Sequence, residues 1–498
     1  MSSSASRAAF LGIDLGTSQV KSLLTGPDGQ VLGRGRAQYQ VAVPAPGQAE
    51  SDPGEWWRAT GIAVREARAA AGDTDVVSLA VAGQMHGVVL ADPAGAPLRP
   101  AIVWLDRRAA AEAARYRELP AGLTGPLGNP PSPGMAGPIL RWLATHEPAT
   151  MNAARWALQP KDWLRLRLTG EAATDPTDAS GTLLFDLTRG GWATDLIDAL
   201  GLPAGILPAI REPAEVAGRL LPAAAAHLGL RPGIPVATGA ADTAAALFAA
   251  RLPADAALLT LGTGGQWVVP QAPGTWRPTA TTNLFRTVAP HLFYRLAAVQ
   301  NMGETINWAR TVLGVSWDRA YSTAGLPWRR DTPVFLPYLT EERWEPGLAG
   351  CWAGLTLDHG RDDLLRAALE GVAFLLRDRL GDLRSAGHDP ARVLLGGGGS
   401  RHPAWRQLLA DVLGLPLYPA ATSSAASILS AANWGDTTWL TPAGAAMLAA
   451  AVGGGAVPGG VGGHRSDDGA DEPVIPGQQG AASTGYDRYL SLKRGQGR

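Results

Sequence analysis

The chain is 498 residues long, with 43 basic and 44 acidic side chains scattered through it and a formal net charge of −1. That length exceeds a single hydrophobic core and fits two domains of roughly 200 to 250 residues. Without a run of like charge there is neither a nucleic-acid footprint nor a polybasic membrane patch, so a small-molecule partner is expected. A single cysteine, Cys351, excludes an internal disulfide framework, suits a reducing cytosol, and reads as a small hydrophobe rather than a nucleophile. The polar start, Met1 to Arg7, does not read as a signal peptide. The longest apolar tract, Ala445 to Val457, is mostly Ala and Gly and is shorter than the roughly 20 residues of a spanning helix. No membrane segment is expected, and a cytoplasmic location is. The only lysines are Lys21, Lys161 and Lys493, and none follows a glycine, so there is no P-loop. Any phosphate must then be met by metal, backbone amides and arginine.

In chain order, Phe10 to Ile13 and Val20 to Leu24 are apolar runs of strand length around the turn Asp14-Leu15-Gly16-Thr17-Ser18. This predicts a β-hairpin whose hydroxyl-rich turn offers backbone N–H groups to an anion. Asp14 beside such a turn is either a solvated side chain or the mark of a divalent cation between carboxylate and phosphate. Asp52, Pro53 and Glu55 signal the start of a helix that runs to about Ala71. Val76 to Ala82 is a strand ending in Gly83-Gln84-Met85-His86-Gly87, with Val88 to Leu90 returning. His86 at this tip either bonds backbone or faces a cleft and hydrogen-bonds a polyol, with Met85 packing on its carbons.

Pro100 to Arg108 reads as a strand ending in charge, with Asp106 and Arg108 either facing the cleft or forming a solvated pair, and Ala109 to Glu118 as a helix. Pro160 to Gly170 reads as a short helix with its C-cap, and Thr174 to Gly181 as a polar turn cluster. Val236 to Ala246 is a strand, a small-residue turn and an Ala-rich helix with Asp242 at its start. Asp242 is either an N-cap or, at the junction of two halves, a carboxylate that accepts a hydroxyl proton. Leu258 to Val269 then repeats the first hairpin, with Leu261-Gly262-Thr263 in the turn and Thr260 in place of Asp14. Such a duplication suggests two related domains facing a cleft. Arg392 to Leu395 enters Gly396-Gly397-Gly398-Gly399, ahead of a helix from Pro403 to Leu413, a place for the flat or anionic part of a nucleotide. A helix from about Pro442 to Ala451, a flexible Gly/Pro-rich tract over 453–480 and a helical end, Tyr486 to Arg494, complete the chain.

These motifs, in unbroken order over nearly the whole chain, resemble the FGGY carbohydrate kinases. The Gln84-Met85-His86-Gly87 turn and the Pro160 to Gly170 segment are most similar to the xylulokinase branch. The resemblance implies an α/β fold of two actin-like (ribonuclease H-like) ATPase domains around a central cleft. Residues 1–240 would hold the sugar side and the first phosphate hairpin, and 241–498 the nucleotide side, the second hairpin and the glycine loop. It implies ATP as co-substrate with Mg²⁺, and phosphorylation of a pentulose, D-xylulose first. By motif match Asp242 is the catalytic base, Asp14 the second catalytic acid, and both stand at the metal. Met85, His86, Asp242 and Thr243 match the sugar-contacting positions, Thr17, Ser18, Gly262 and Thr263 the phosphate turns, and Gly397 and Gly398 the adenosine loop. A homodimer stays open. Three segments depart from the branch: Thr243 replaces an Asn, Glu342-Arg343-Trp344-Glu345 replaces Glu-Arg-Thr-Pro, and Ile428 to Ala432 carries Ser430 in place of Gly. They keep two alternatives in view, a kinase for another ketose or polyol and a nucleotide-binding regulator with weakened catalysis.

Overall fold

A computed structural model describes residues 7–274, 276–340, 342, 345, 347–419, 439–455 and 473–496. Its frame is two mixed sheets that repeat one another. In the first, the hairpin Arg7–Leu15 and Gln19–Thr25 is extended on one side by Val31–Gln38, antiparallel. On the other side Thr74–Gly83 and Pro235–Ala237 follow in parallel. In the second, the hairpin Ala256–Leu261 and Gly265–Gln271 is extended by Phe293–Val299, antiparallel, and on the other side by Arg392–Gly396 and Leu417–Pro419, both parallel. Strand order and direction agree, and so does the register at the turns. Asp14 pairs with Lys21 and Thr260 with Gln266, each one step before the closing pair of its hairpin.

The helices cover these sheets for reasons partly local and partly distant. Pro53–Ala71 starts where Asp52 accepts the Gly54 N–H at 2.8 Å, with Pro53 in the first turn, and it lies on the strand Val31–Gln38. The central strand Arg7–Leu15 is buried on both faces from Ala9 onward, which is why it reads as one apolar run. Part of that cover is the helix Leu440–Val452, from the far end of the chain. A Cβ on Gly12 would collide with the carbonyl oxygen of Pro442, and one on Gly444 with that of Ala245. The late helix is thus wedged between the central strand and the helix Asp242–Ala250. Asn129, just past the turn Gly125–Leu127, is tied to the second sheet: its side-chain amide donates to the Leu284 carbonyl at 2.7 Å and accepts the Leu284 N–H at 2.8 Å.

Several expected elements take a different form. The strand after His86, Val89–Ala91, does not fold back on Thr74–Gly83 but pairs with Trp156–Leu158. Only Ala101–Ile102 of the segment after Pro100 is strand, paired with Glu50–Ser51, and the following helix is limited to Ala110–Arg115. Thr174 to Gly181 is a buried cap and short helix, Pro176–Ala179, rather than a surface turn. The C-terminal helix starts earlier than its residues suggest and spans Gln479–Gln496. Residues 456–472 of the Gly/Pro-rich tract, Ile428 to Ala432 with Ser430, and Arg343 and Trp344 lie outside the described residues. Among the described residues no helix is long and apolar enough to cross a membrane.

Candidate active site

Register places the two acids on either side of one strand. Asp14 and Ala240 are both partners of Ala82, and Leu15 and Ala241 are both partners of Gly83. Asp14 therefore closes one parallel neighbour of Thr74–Gly83, and Asp242 follows the short strand Ala240–Ala241 that pairs on its other side. The central strand itself runs out into Gln84, Met85 and His86. All of these leave the sheet at the carboxyl ends of parallel strands, the edge at which open α/β sheets bind ligands.

Asp14 is buried, with Lys21 Nζ at 3.5 Å from Oδ2. Burial raises its pKa, and Lys21 opposes the rise. Asp242 is half-buried, and its pKa is pushed up to about 6, first by burial and next by the charge on Asp14. Burial at both carboxylates, and the charge of Asp14 at Asp242, favour a proton or a cation there. The Thr243 N–H donates to Asp242 Oδ1 at 2.5 Å and its hydroxyl to the same oxygen at 3.1 Å. Both bonds fall on Oδ1 rather than Oδ2.

The first hairpin turn is shaped by side chains from elsewhere. Trp104 Nε1 donates to Thr17 Oγ1 at 3.0 Å, which leaves the Thr17 hydroxyl proton for another acceptor. Tyr39 donates its hydroxyl to the Gly16 carbonyl, and the Tyr39 N–H donates to Ser18 O at 3.0 Å. Ser18 is exposed at the tip. Beside this turn His86 adopts a left-handed backbone, φ 75°, held by a hydrogen bond from its N–H to Gln159 Oε1 at 2.9 Å. Its ring Nδ1 lies 2.6 Å from the Gly181 carbonyl. A carbonyl only accepts, so Nδ1 carries the proton, and in the neutral ring Nε2 carries the lone pair. Met85 is buried against Tyr294, whose hydroxyl is 3.9 Å from Sδ. Tyr294 belongs to the second sheet, so this contact joins the end of the central strand of the first sheet to the second.

The second turn is barer. Gly262, Thr263 and Gly264 are exposed, and the N-terminus of the helix Gly303–Val312 abuts them, with Glu304 N–H donating to Thr263 O at 3.0 Å. Gly397 follows the neighbouring strand with φ 86°, and a Cβ there would collide with the Leu261 carbonyl oxygen. Only glycine combines that left-handed backbone with that approach. The exposed Gly398 continues the loop, so phosphate turn and glycine loop share the edge of the second sheet.

Models of the N-terminal and C-terminal domains of the FGGY family of carbohydrate kinases match residues 9–249 and 243–433. The chain belongs to this family. A xylulose kinase of Escherichia coli (strain K12) is 36% identical over 418 residues, 82% of this chain and 85% of that protein. The crystal structure of a xyloylose kinase from Brucella ovis shares the fold with a TM-score of 0.86 at 30% identity, over 98% of this chain and 99% of that one. A gluconate kinase from Lactobacillus acidophilus, 23% identical with a TM-score of 0.84 over 98% of each chain, shares the fold alone. This FGGY kinase is therefore a sugar kinase with two actin-like ATPase domains, and ATP and a sugar are its substrates.

Beneath the site of the FGGY kinase lies a group that its sequence does not announce. Lys161, Asp162, Arg165, Asp175 and Asp178 are fully buried together. Lys161 Nζ lies 2.5 Å from Asp162, 2.6 Å from Asp175 and 3.3 Å from Asp178, and Arg165 bonds Asp162 at 2.8 Å. The three carboxylates are spaced closely enough to hold a metal, but the Lys161 ammonium fills their centre. Burial works against the charge on Lys161, and the three acids overcome it and raise its pKa. Burial, with Asp162 and Asp175 beside it, pushes the Asp178 pKa well up against the pull of Lys161. Asp106 and Arg108 prove neither cleft-facing nor solvated. Asp106 is buried under the Ala49 N–H at 2.6 Å, and Arg108 ties it to Glu50.

Proposed function

We propose that this kinase transfers the γ-phosphoryl group of ATP to the terminal hydroxyl (O5) of D-xylulose, giving D-xylulose 5-phosphate and ADP, with Asp242 as the base. One observation carries the reading: Asp14 and Asp242 leave strand ends at one edge, on either side of the strand that runs out into Met85 and His86, with the charge of Asp14 acting on Asp242. The first half is the sugar side and the second the nucleotide side. As the O5 lone pair attacks the γ-phosphorus, the O–H proton passes to Asp242 Oδ2 and the bond from the γ-phosphorus to the ADP oxygen breaks. Thr243 holds Oδ1 throughout. His86 Nε2 accepts from a sugar hydroxyl, and Met85 packs on the carbon skeleton. The N–H groups and hydroxyls of Thr17, Ser18, Gly262 and Thr263 meet the phosphates from both sides, while Gly397 and Gly398 let the adenosine lie against backbone. Catalysis is then positioning and fixed charge rather than covalent chemistry.

A buried carboxylate, Asp14, whose charge raises the proton affinity of Asp242 suits a divalent cation, so Asp14, with Asp242 beside it, would hold Mg²⁺. When bound, that ion supplies positive charge to the phosphate oxygens. A second reading, the same transfer to another ketose or polyol, is favoured by one feature. Thr243 spends its hydroxyl on Asp242, where the family resemblance places a sugar contact.

A coupled ADP-release assay over a panel of ketoses and polyols tests the substrate: D-xylulose is expected to turn over fastest, and equal or faster turnover of ribulose or glycerol overturns it. In the same assay Asp242→Ala is expected to lose roughly 10²- to 10⁴-fold in turnover while remaining folded. Near-normal turnover would remove Asp242 from the base role.

A further inference from the structure

The buried ion cluster reaches the backbone that presents Asp242. The Ala241 N–H, one residue before the acid, donates to Thr177 Oγ1 at 2.8 Å. The Thr177 hydroxyl donates in turn to Asp175 Oδ1 at 2.5 Å, and the Thr177 N–H donates to that same oxygen at 2.8 Å. The other Asp175 oxygen pairs with Lys161 at 2.6 Å. Arg165 grips the other end of the same segment through the Thr238 carbonyl at 2.8 Å. Residues 238–241 are thus fastened at both ends to a cluster from which water is excluded.

We propose that Thr177, backed by Asp175 and Lys161, is a positioning residue that sets where the Asp242 carboxylate stands. This rests on the reading of Asp242 as the base. A merely structural hydroxyl would need one satisfied bond. Thr177 instead relays, accepting from the backbone of the base segment and donating to a carboxylate whose own place is fixed by an ion pair. Nothing else in the described cluster touches the Ala241 N–H. The relay makes the reach of Asp242 depend on a short helix, Pro176–Ala179, far from it in sequence.

The test compares wild type, Thr177→Val and Thr177→Ser by steady-state kinetics with D-xylulose and ATP, together with thermal melts of each protein. Valine keeps the volume and removes the relay; serine restores the hydroxyl without the methyl. Thr177→Val is expected to lose roughly tenfold to a hundredfold in kcat, with the KM for ATP changed less than about twofold, and Thr177→Ser to return to within about threefold of wild type. A folded Thr177→Val with kcat near wild type overturns the proposal, as does a Thr177→Ser as impaired as the valine variant. Should the valine variant not fold, Thr177→Cys, a weaker donor of similar size, is expected to show an intermediate kcat, and an unchanged kcat overturns the proposal. Asp242→Asn is measured alongside. If it retains turnover, the base reading falls; if it is inactive while Thr177→Val is unaffected, only the positioning role falls.

Discussion

In the first sheet the residue one step before the end of the hairpin is Asp14, buried and paired with Lys21; in the second it is Thr260, half-buried, with its hydroxyl turned to the Gln266 carbonyl at 3.4 Å. Around the first turn stand Trp104, Tyr39 and the carboxylate of Asp242. Around the second there is chiefly backbone, and the adjoining loop can pass only because Gly397 has no side chain. Under the proposed function one structural unit would serve two kinds of phosphate contact. With an acid, the turn needs a cation to approach an anion; without one, exposed amides meet the anion directly. Under the proposed function the difference would separate a side that does chemistry from a side that holds a nucleotide, and it is open to exchange by mutation.

Asp14→Thr makes the first hairpin like the second, and it carries the larger expected effect. Turnover should fall by roughly 10²- to 10³-fold, because fixed charge at the reacting phosphate is lost. Calorimetry without divalent ions should show ATP binding at least as tight as in wild type, since a repelling carboxylate is gone. Full turnover in this variant would dissolve the distinction between the turns. The reverse exchange, Thr260→Asp, puts a carboxylate beside the barer turn. The KM for ATP is expected to rise about tenfold, the equivalent of some 1.4 kcal/mol of repulsion, with the KM for the sugar unchanged. A sugar KM that rose equally would mean that the second turn also borders the sugar.

The two hairpins were legible from residues because everything that makes them is local: apolar runs of strand length, a Gly-Thr turn and an acid beside it. The Asp52-Pro53 helix start and the glycine loop were legible for the same reason. The edge that joins Asp14, Asp242 and His86 followed once the repeat was recognised. What stayed hidden is what depends on tertiary burial. Pro160 to Thr169 carries Lys161, Asp162, Arg165 and Arg167 and looks like an ordinary charged helix, yet all but Arg167 of these are sealed inside. The available signal was weak: one of only three lysines, next to an acid and a Trp, with Asp175 and Asp178 one helical turn apart shortly after. The indole of Trp104 over Thr17, and the docking of Leu440–Val452 against Gly12, join residues far apart in sequence, and no local pattern encodes them.

The smallest effect is the one that reads the raised pKa of Asp242. Asp242 is pushed up to about 6 from 3.8, so the folded chain holds this proton more tightly than the unfolded chain does. Ionising it costs folding free energy fully above pH 6, and that cost vanishes as the pH falls below about 4, where both states are protonated. Two pKa units would correspond to roughly 3 kcal/mol, and solvent reaching the half-buried side chain reduces this to about 1–2 kcal/mol. Asp242→Asn removes the charge and keeps the acceptor for Thr243, so its Tm should exceed that of wild type by about 1–4 °C at pH 8, with the gain shrinking to nothing near pH 4. The same proton should appear in kinetics, with wild-type kcat/KM for the sugar falling as the pH drops through about 6, because a protonated Asp242 cannot accept the hydroxyl proton. A stability difference that did not vary with pH would mean that neither burial nor Asp14 raises the Asp242 pKa. Asp14→Asn should lower the kinetic midpoint, since it removes the second cause of the shift and leaves burial, the first, in place.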